Sequence, residues 1–284
     1  MNENRKSLYM LIGSMVIFGT IGVVRRYIPL SSAAIAAARG LVGAVFLLLL
    51  RLLRRKKLDR AAVRANLWRL ILSGAIIGFN WIALFEAYQY TTVAVATLCY
   101  YMAPVFVIML SPLVLKDKLT ARKGICAALA VAGMVLVSGV LDAGGGSLRG
   151  VLLGLLAAAL YASVILINKR MTPMPAMDRT VIQLAAAGVV VLPYAILTGG
   201  GGEALTLGTL GLLAVICIVH TGFAYALYFG SMEGLPAHTI ALLSYIDPVV
   251  AVVLSAVALD EPLTLWTMVG AVLILGAAVL GERE

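Results

Sequence analysis

TTVAVATLCYYMAPVFVIMLSPLVLKDKLT, residues 91–120, is an apolar run of membrane-spanning length with Pro104 near its middle and a charged loop at its end. The chain writes this stretch twice. At an offset of 144 residues, without a gap, stands LPAHTIALLSYIDPVVAVVLSAVALDEPLT, residues 235–264. Tyr101 falls on Tyr245, Pro104 on Pro248, Ser111 on Ser255, Thr120 on Thr264 and Asp117 on Glu261. The same offset carries Arg26 onto Arg170, Pro29 onto Pro173, Gly78 onto Gly222 and Phe85 onto Phe229. The chain therefore reads as two copies of one unit, residues 1–144 and 145–284.

Composition says where such a unit lives. At 62% hydrophobic and 12% charged, the chain departs far from a soluble domain. The net charge of +9 would suggest nucleic acid if it lay on one folded surface. It lies instead between apolar runs, which is membrane topology, and no nucleic-acid partner is expected. Cys99, Cys126 and Cys217 stand singly inside apolar runs without metal-ligand spacing, and read as buried inert thiols. Neither a metal nor another cofactor is expected. Arg5-Lys6 before an apolar run imitates a secretory signal, but no clear small-residue cleavage site follows, so a retained first helix is predicted.

Ten spans are predicted, near residues 7–24, 31–53, 67–90, 92–115, 121–141, 149–167, 179–198, 205–232, 235–259 and 263–280. The runs are too long and too evenly apolar for barrel strands, which predicts an all-α integral membrane protein. Arg51, Arg54, Arg55, Lys56, Lys57, Arg60 and Arg64 crowd the loop after the second span. Lys116, Lys118, Arg122 and Lys123 follow the fourth, and Lys169, Arg170 and Arg179 separate the sixth from the seventh. With ten spans these loops share a side with both termini, and the excess of Lys and Arg makes that side the cytoplasm. The basic loop would also touch anionic lipid. Five spans per copy is an odd number, so the second copy enters the membrane inverted. Inverted repeats are a recurrent build of secondary transporters, whose site lies near the midplane between the halves.

Asn80-Trp81, Phe85-Glu86-Ala87-Tyr88, Thr91-Thr92, Tyr100 to Pro104, and the Asp117-Lys118-Leu119-Thr120 and Asp260-Glu261-Pro262-Leu263-Thr264 loops resemble the EamA-type family of the drug/metabolite transporter superfamily. The likeness spans nearly the whole chain. Asp117-Lys118 stands where a Glu-Lys pair is commoner in that family. The resemblance implies a ten-helix basket with a central cavity, exporting amino acids or other small metabolites, importing them, or exporting drugs.

Charges inside a bilayer cost several kcal/mol unless paired or wetted, so each needs a reason. Arg39 lies roughly 12 Å into span two at 1.5 Å per residue. It is a candidate fork for a substrate carboxylate, or a structural arginine; its repeat mate is Gln183. Glu86, whose mate is Gly230, either balances an ammonium group or pairs with Arg25, Arg26 or Arg39. Asp247 sits near the midplane of span nine, just before Pro248, and its mate is Ala103. A proline disfavours helical geometry before it and frees a carbonyl one turn back, which opens a polar notch. Asp247 is there a candidate proton carrier, or an Asp held by backbone and a neighbouring tyrosine. Asn80, Trp81, Tyr100, Tyr101, Tyr161, Asn168, Tyr225, Tyr228 and Tyr245 lie at similar depths, as a wall for a cation or planar group, as packing, or as interfacial anchors. His220 and His238 read as packing. Gly74/Gly78 and Gly150/Gly154 read as close helix contacts. The glycine runs at 144–146 and 199–202 are turns, since no GK[ST] follows.

The expected function is a secondary carrier at the cytoplasmic membrane. Its cavity closes alternately by the Pro104 and Pro248 helices, with spans five and ten as scaffold or homodimer interface. The expected substrate is an amino acid or like metabolite moving outward, with Arg39 at its carboxylate and Asp247 or Glu86 at its amine or a coupling proton. The alternative is an organic cation in an aromatic cage completed by Glu86. An intramembrane enzyme is not expected: GxGD, GxSG and HExxH are all absent.

Overall fold

The computed structural model describes residues 3–55, 58–116, 120–138, 147–198, 206–232 and 234–282. Asp117, Lys118 and Leu119, Lys56 and Lys57, both glycine runs and the junction of the two units lie outside the described residues, as does the side chain of His238.

Every described regular element is helical. The first unit holds α1 (Glu3–Gly19), α2 (Ile21–Arg26), α3 (Ser32–Leu53), α4 (Arg60–Tyr90), α5 (Val93–Tyr100), α6 (Ala103–Val114) and α7 (Ala121–Val137). The second holds α8 (Leu148–Lys169), α9 (Ala176–Leu197), α10 (Leu207–Ala214), a π-helical stretch (Val215–Phe223), α11 (Ala224–Ser231), α12 (Ala237–Ser244), α13 (Ile246–Ala258) and α14 (Leu265–Glu282). Seven helical segments are long and apolar enough to cross a bilayer. Three shorter apolar helices, Gly124–Val137, Ile246–Ala258 and Leu265–Leu280, fall where the remaining predicted spans do. Leu52, Leu113, Leu197, Val257 and Val272 stand exposed around the outside, as expected of a surface solvated by lipid.

The helix starts follow side-chain caps. Ser31 accepts from the Ala34 amide, Thr92 from Val95, Ser147 from Gly150 and Thr206 from Thr209. Arg60 and Arg64 are helical rather than loop residues, because Asp59 caps α4 through the Ala62 amide at 3.0 Å and the helix begins a turn or more earlier than the apolar run.

Two spans break at matching places. α5 ends at Tyr100 and α6 begins at Ala103; α12 ends at Ser244 and α13 begins at Ile246. Tyr101 and Tyr245 therefore occupy equivalent breaks, each three residues before a proline whose missing N–H leaves the Tyr100 or Ser244 carbonyl without a helical donor. Ala103 and Asp247, which directly precede those prolines, do not leave helical geometry as the proline rule predicts; they lie in the first turn of the following helix, where a proline is tolerated. Span one also breaks, at Thr20, where its sequence gives no proline. A Cβ at Gly19 would stand 2.6 Å from the Asp247 carbonyl oxygen, so α1 packs there directly on the α13 backbone.

The principal pairings are α3 with α9, α4 with α8, α7 with α14, α4 with α9, α1 with α11, α3 with the π-helical stretch and α5 with α13. Exchanging the two units leaves this set of pairings unchanged. Glycines allow the closest crossings. A Cβ at Gly40 would lie 2.5 Å from the Gly188 amide nitrogen, and one at Gly270 2.5 Å from the Gly133 oxygen. Gly74 and Gly78 meet α9, and Gly150 and Gly154 meet Thr91 and α5, which is the close contact that their spacing predicts. Gly40→Ala is expected to lower stability by about 1–3 kcal/mol, since backbone on both sides leaves the methyl no room. Thermal unfolding followed by size-exclusion fluorescence checks this; an unchanged melting temperature would show that α3 and α9 part readily.

Candidate substrate cavity

Asn80 and Trp81 of α4, Tyr101 and Pro104 around the first break, Tyr225 and Tyr228 of α11, Tyr245 and Asp247 around the second, and Arg39 of α3 all line one cavity of about 600 Å³. Met15 and Phe18 of α1 and Tyr161 of α8 complete it, so both units contribute walls. Its volume suits a small metabolite.

Arg39 is buried, 5% exposed, and pairs with no carboxylate among the described residues. Its Nε donates to Thr221 Oγ1 at 2.9 Å, and its guanidinium lies over the Trp81 ring with 4.2 Å from Cζ to centroid. The two terminal nitrogens have no hydrogen-bond partner among the described residues, and the residue lines the cavity. The arginine is thus held at its neck and free at its fork. Thr221 reaches this position from the π-helical stretch, where its hydroxyl donates to Ile216 O five residues back at 3.0 Å. His220 beside it contacts Val215 O at 3.2 Å through Nδ1 and Thr20 Oγ1 at 2.7 Å through Nε2, tying the π turn to the break in span one. A π segment at a functional wall is a common placement.

Asp247 supplies the opposite charge. One oxygen, Oδ2, accepts from Tyr101 OH at 2.9 Å. The same hydroxyl lies 3.5 Å from Ser244 O, the carbonyl that Pro248 leaves without its helical donor. Asp247 and Arg39 are the only charged side chains among the described lining residues, and they make no ion pair with each other.

Aromatic rings form much of the cavity wall. Tyr101 meets its repeat mate Tyr245 with centroids 6.2 Å apart; Tyr100 meets Tyr161 at 5.5 Å, and Phe18 meets Tyr225 at 5.4 Å. These separations are those of ordinary aromatic packing. Asn80 lines the cavity but spends its amide on Ala157 O at 2.6 Å.

Three candidates stand elsewhere. Glu86 is half-buried and off the cavity wall, near enough to Arg25 for the two charges to interact. Pro248 is buried beside Asp247 without lining the cavity. Asn168 accepts from Gln183 Nε2 at 2.8 Å, and that nitrogen also donates to Ser73 at 2.6 Å. Gln183, the repeat mate of Arg39, is therefore absorbed in a buried polar tie, while Arg39 faces open space. The three cysteines are free and buried.

The likeness to known proteins runs along the whole chain. The EamA-like transporter family matches it twice, over residues 5–139 and 148–281. An uncharacterized transporter, YxxF, of Bacillus subtilis is 27% identical over 95% of this chain and 87% of its own. Protein PecM of Dickeya dadantii is 29% identical over 75% and 73%. An uncharacterized transporter of Archaeoglobus fulgidus is 28% identical over 76% and 77%. A solved crystal structure shares the fold, with a TM-score of 0.64 and 17% identity over 97% of this chain and 96% of that one. With helices of membrane-spanning length, a cavity walled by both units and a double match that covers nearly all its residues, the chain belongs to the EamA-like transporter family, within the drug/metabolite transporters.

Proposed function

We propose that this carrier moves a small zwitterionic metabolite, an amino acid or close analogue, outward across the cytoplasmic membrane by alternating access. One observation carries the substrate class: Arg39 and Asp247 face the same cavity with opposite charges and no bond between them. A zwitterion satisfies both at once. Its carboxylate takes the free fork of Arg39, its ammonium the free oxygen of Asp247, and its side chain the aromatic wall.

The architecture of this reading is ten spans in two inverted five-helix repeats, residues 1–144 and 145–284, with both termini cytoplasmic. Support comes from the three short apolar helices at the places of the remaining spans, and from pairings that survive exchange of the units. The odd number of spans per unit then turns one repeat over relative to the other. α7 and α14 pack on each other beside the cavity-forming helices, which suits scaffold or a homodimer contact. A proton gradient is the proposed energy source, with Asp247 as the proton's seat.

A second reading, an organic cation, is favoured by the tyrosine wall. It needs Asp247 as its anion in place of Glu86, which is off that wall, and it leaves Arg39 facing a like charge.

Thermal stabilisation of the purified protein separates the two, because a ligand that binds the native state raises its melting temperature by mass action. Amino acids are expected to stabilise it, while analogues lacking the carboxylate or the amine stabilise it far less. Stabilisation by choline-like amines alone would transfer the assignment to the cation reading.

A further inference from the structure

Away from the cavity, the end of span one is bound to the far loop of the second unit. Arg26 Nη2 makes a 2.6 Å ion pair with Glu261 Oε1 and also donates to Thr91 O at 2.9 Å. The other Glu261 oxygen accepts from the Val93 amide at 2.7 Å and from the Ser255 hydroxyl. Ser255 Oγ in turn accepts from the Ala94 amide at 3.3 Å. Glu261 thereby serves the first, otherwise unpaired amide of α5 from across the molecule, where a carboxylate is favoured by the helix N-terminus. Its side chain is 11% exposed, which strengthens these contacts relative to a surface pair.

The position of this cluster gives it a role. Ile21, Tyr88, Thr97 and Ala251 line the cavity. Arg26, Thr91, Val93 and Ser255 lie three to five residues farther along the same segments, about one helical turn beyond the wall. At the opposite end the wall reaches Met232 and Ile240, next to the turn between α11 and α12. The described repeat mates there make different bonds: Arg170 donates to Val114 O, and Ser111 to Ile108 O in its own helix at 3.2 Å.

We infer that Arg26, Glu261, Ser255 and the Val93 amide form a latch that holds the α2–α5 end of the cavity shut, and that releasing it opens that end. The latch joins the two repeats across the route a substrate would take, so that end opens only when Glu261 leaves the α5 terminus. This rests on the carrier reading, in which that end faces outward.

The labelling itself needs no substrate. Ile21→Cys, on the cavity wall, is introduced after Cys99, Cys126 and Cys217 are replaced by alanine, and a membrane-impermeant maleimide is applied to right-side-out and to inverted vesicles. With the latch intact, labelling from the outer face is slow. Glu261→Gln is expected to speed it about tenfold, the effect of losing about 1.4 kcal/mol from the closed state. Ser255→Ala should act in the same direction by a smaller factor, and it decides the matter if Glu261→Gln does not fold. Ser111→Ala, at the other end, should leave outer labelling at the parent rate. Outer labelling within twofold of the parent in both latch variants overturns the latch. Faster outer labelling without any stabilisation by zwitterions would keep the latch and remove the substrate assignment.

Discussion

Arg39→Ala is expected to weaken binding of a carboxylated substrate by about 100-fold or more, the equivalent of roughly 2.7 kcal/mol and the scale of two lost charge-assisted hydrogen bonds. Arg39→Lys should recover only a small part of this. Lysine has no Nε–H for Thr221, no planar group to lie on Trp81, and a single ammonium in place of a two-pronged fork. The ligand-free protein behaves differently. A buried cation without a carboxylate partner is held at a desolvation cost, so its removal should leave the unliganded melting temperature unchanged or raise it. A purely structural arginine predicts the reverse: a fall in stability and no selective loss of ligands that carry a carboxylate. Melting curves for parent, alanine and lysine variants, with and without an amino acid that stabilises the parent, distinguish the two. Equal binding by Arg39→Lys would end the fork assignment.

The sequence placed Arg39 at this depth but not its partner. The approach of Thr221 depends on a π register, in which hydroxyl and carbonyl meet at five residues rather than four. Nothing in the run VICIVHTGF announces that register. That spans four and nine break was legible from Pro104 and Pro248, but the place was not: the breaks fall at Tyr101 and Tyr245 rather than at the residue before each proline, and Pro112 and Pro193 sit inside unbroken helices. The break at Thr20 was not legible: no proline marks it, and its surroundings, the α13 backbone against Gly19 and His220 on the Thr20 hydroxyl, are tertiary. Glu86 shows a different limit. Residues Ile77, Asn80, Trp81, Leu84 and Tyr88 of α4 line the cavity at helical spacing. At 100° per residue Glu86 lies about 140° from Trp81 and about 180° from Ile77, on the side opposite that stripe. An acidic residue in an apolar span draws notice for its cost in the bilayer, but facing is decided by register. Applied to 77, 80, 81, 84 and 88, the same periodicity would have put Tyr88 on the wall and Glu86 off it. The duplication conveyed the pairing of the halves and also where they diverge, since Gln183 and Arg39 occupy equivalent places with unlike partners.

Asp247→Asn preserves the shape of the side chain and an oxygen for the Tyr101 hydroxyl, so the break before Pro248 should stay intact. What it removes is the only negative charge among the described lining residues. A substrate ammonium then loses its counter-ion, and its binding is expected to weaken by about 10–100-fold, the range for a hydrogen bond to a charged group. A des-amino analogue should bind parent and variant alike. The same change removes the proposed site for a transported proton. In proteoliposomes, uptake driven by an imposed pH gradient should disappear, while exchange of labelled for unlabelled substrate persists at concentrations high enough to offset the weaker binding. Exchange needs the cavity to open alternately to each side; gradient-driven uptake also needs a group that carries a proton in one direction. Tyr101→Phe separates charge from support, because it leaves the carboxylate and withdraws its hydrogen bond. It should keep gradient-driven uptake with altered affinity. If Asp247→Asn retains full gradient-driven uptake, the proton sits on another group. If it also binds zwitterions like the parent, Asp247 serves only to hold Tyr101 against the break in span nine.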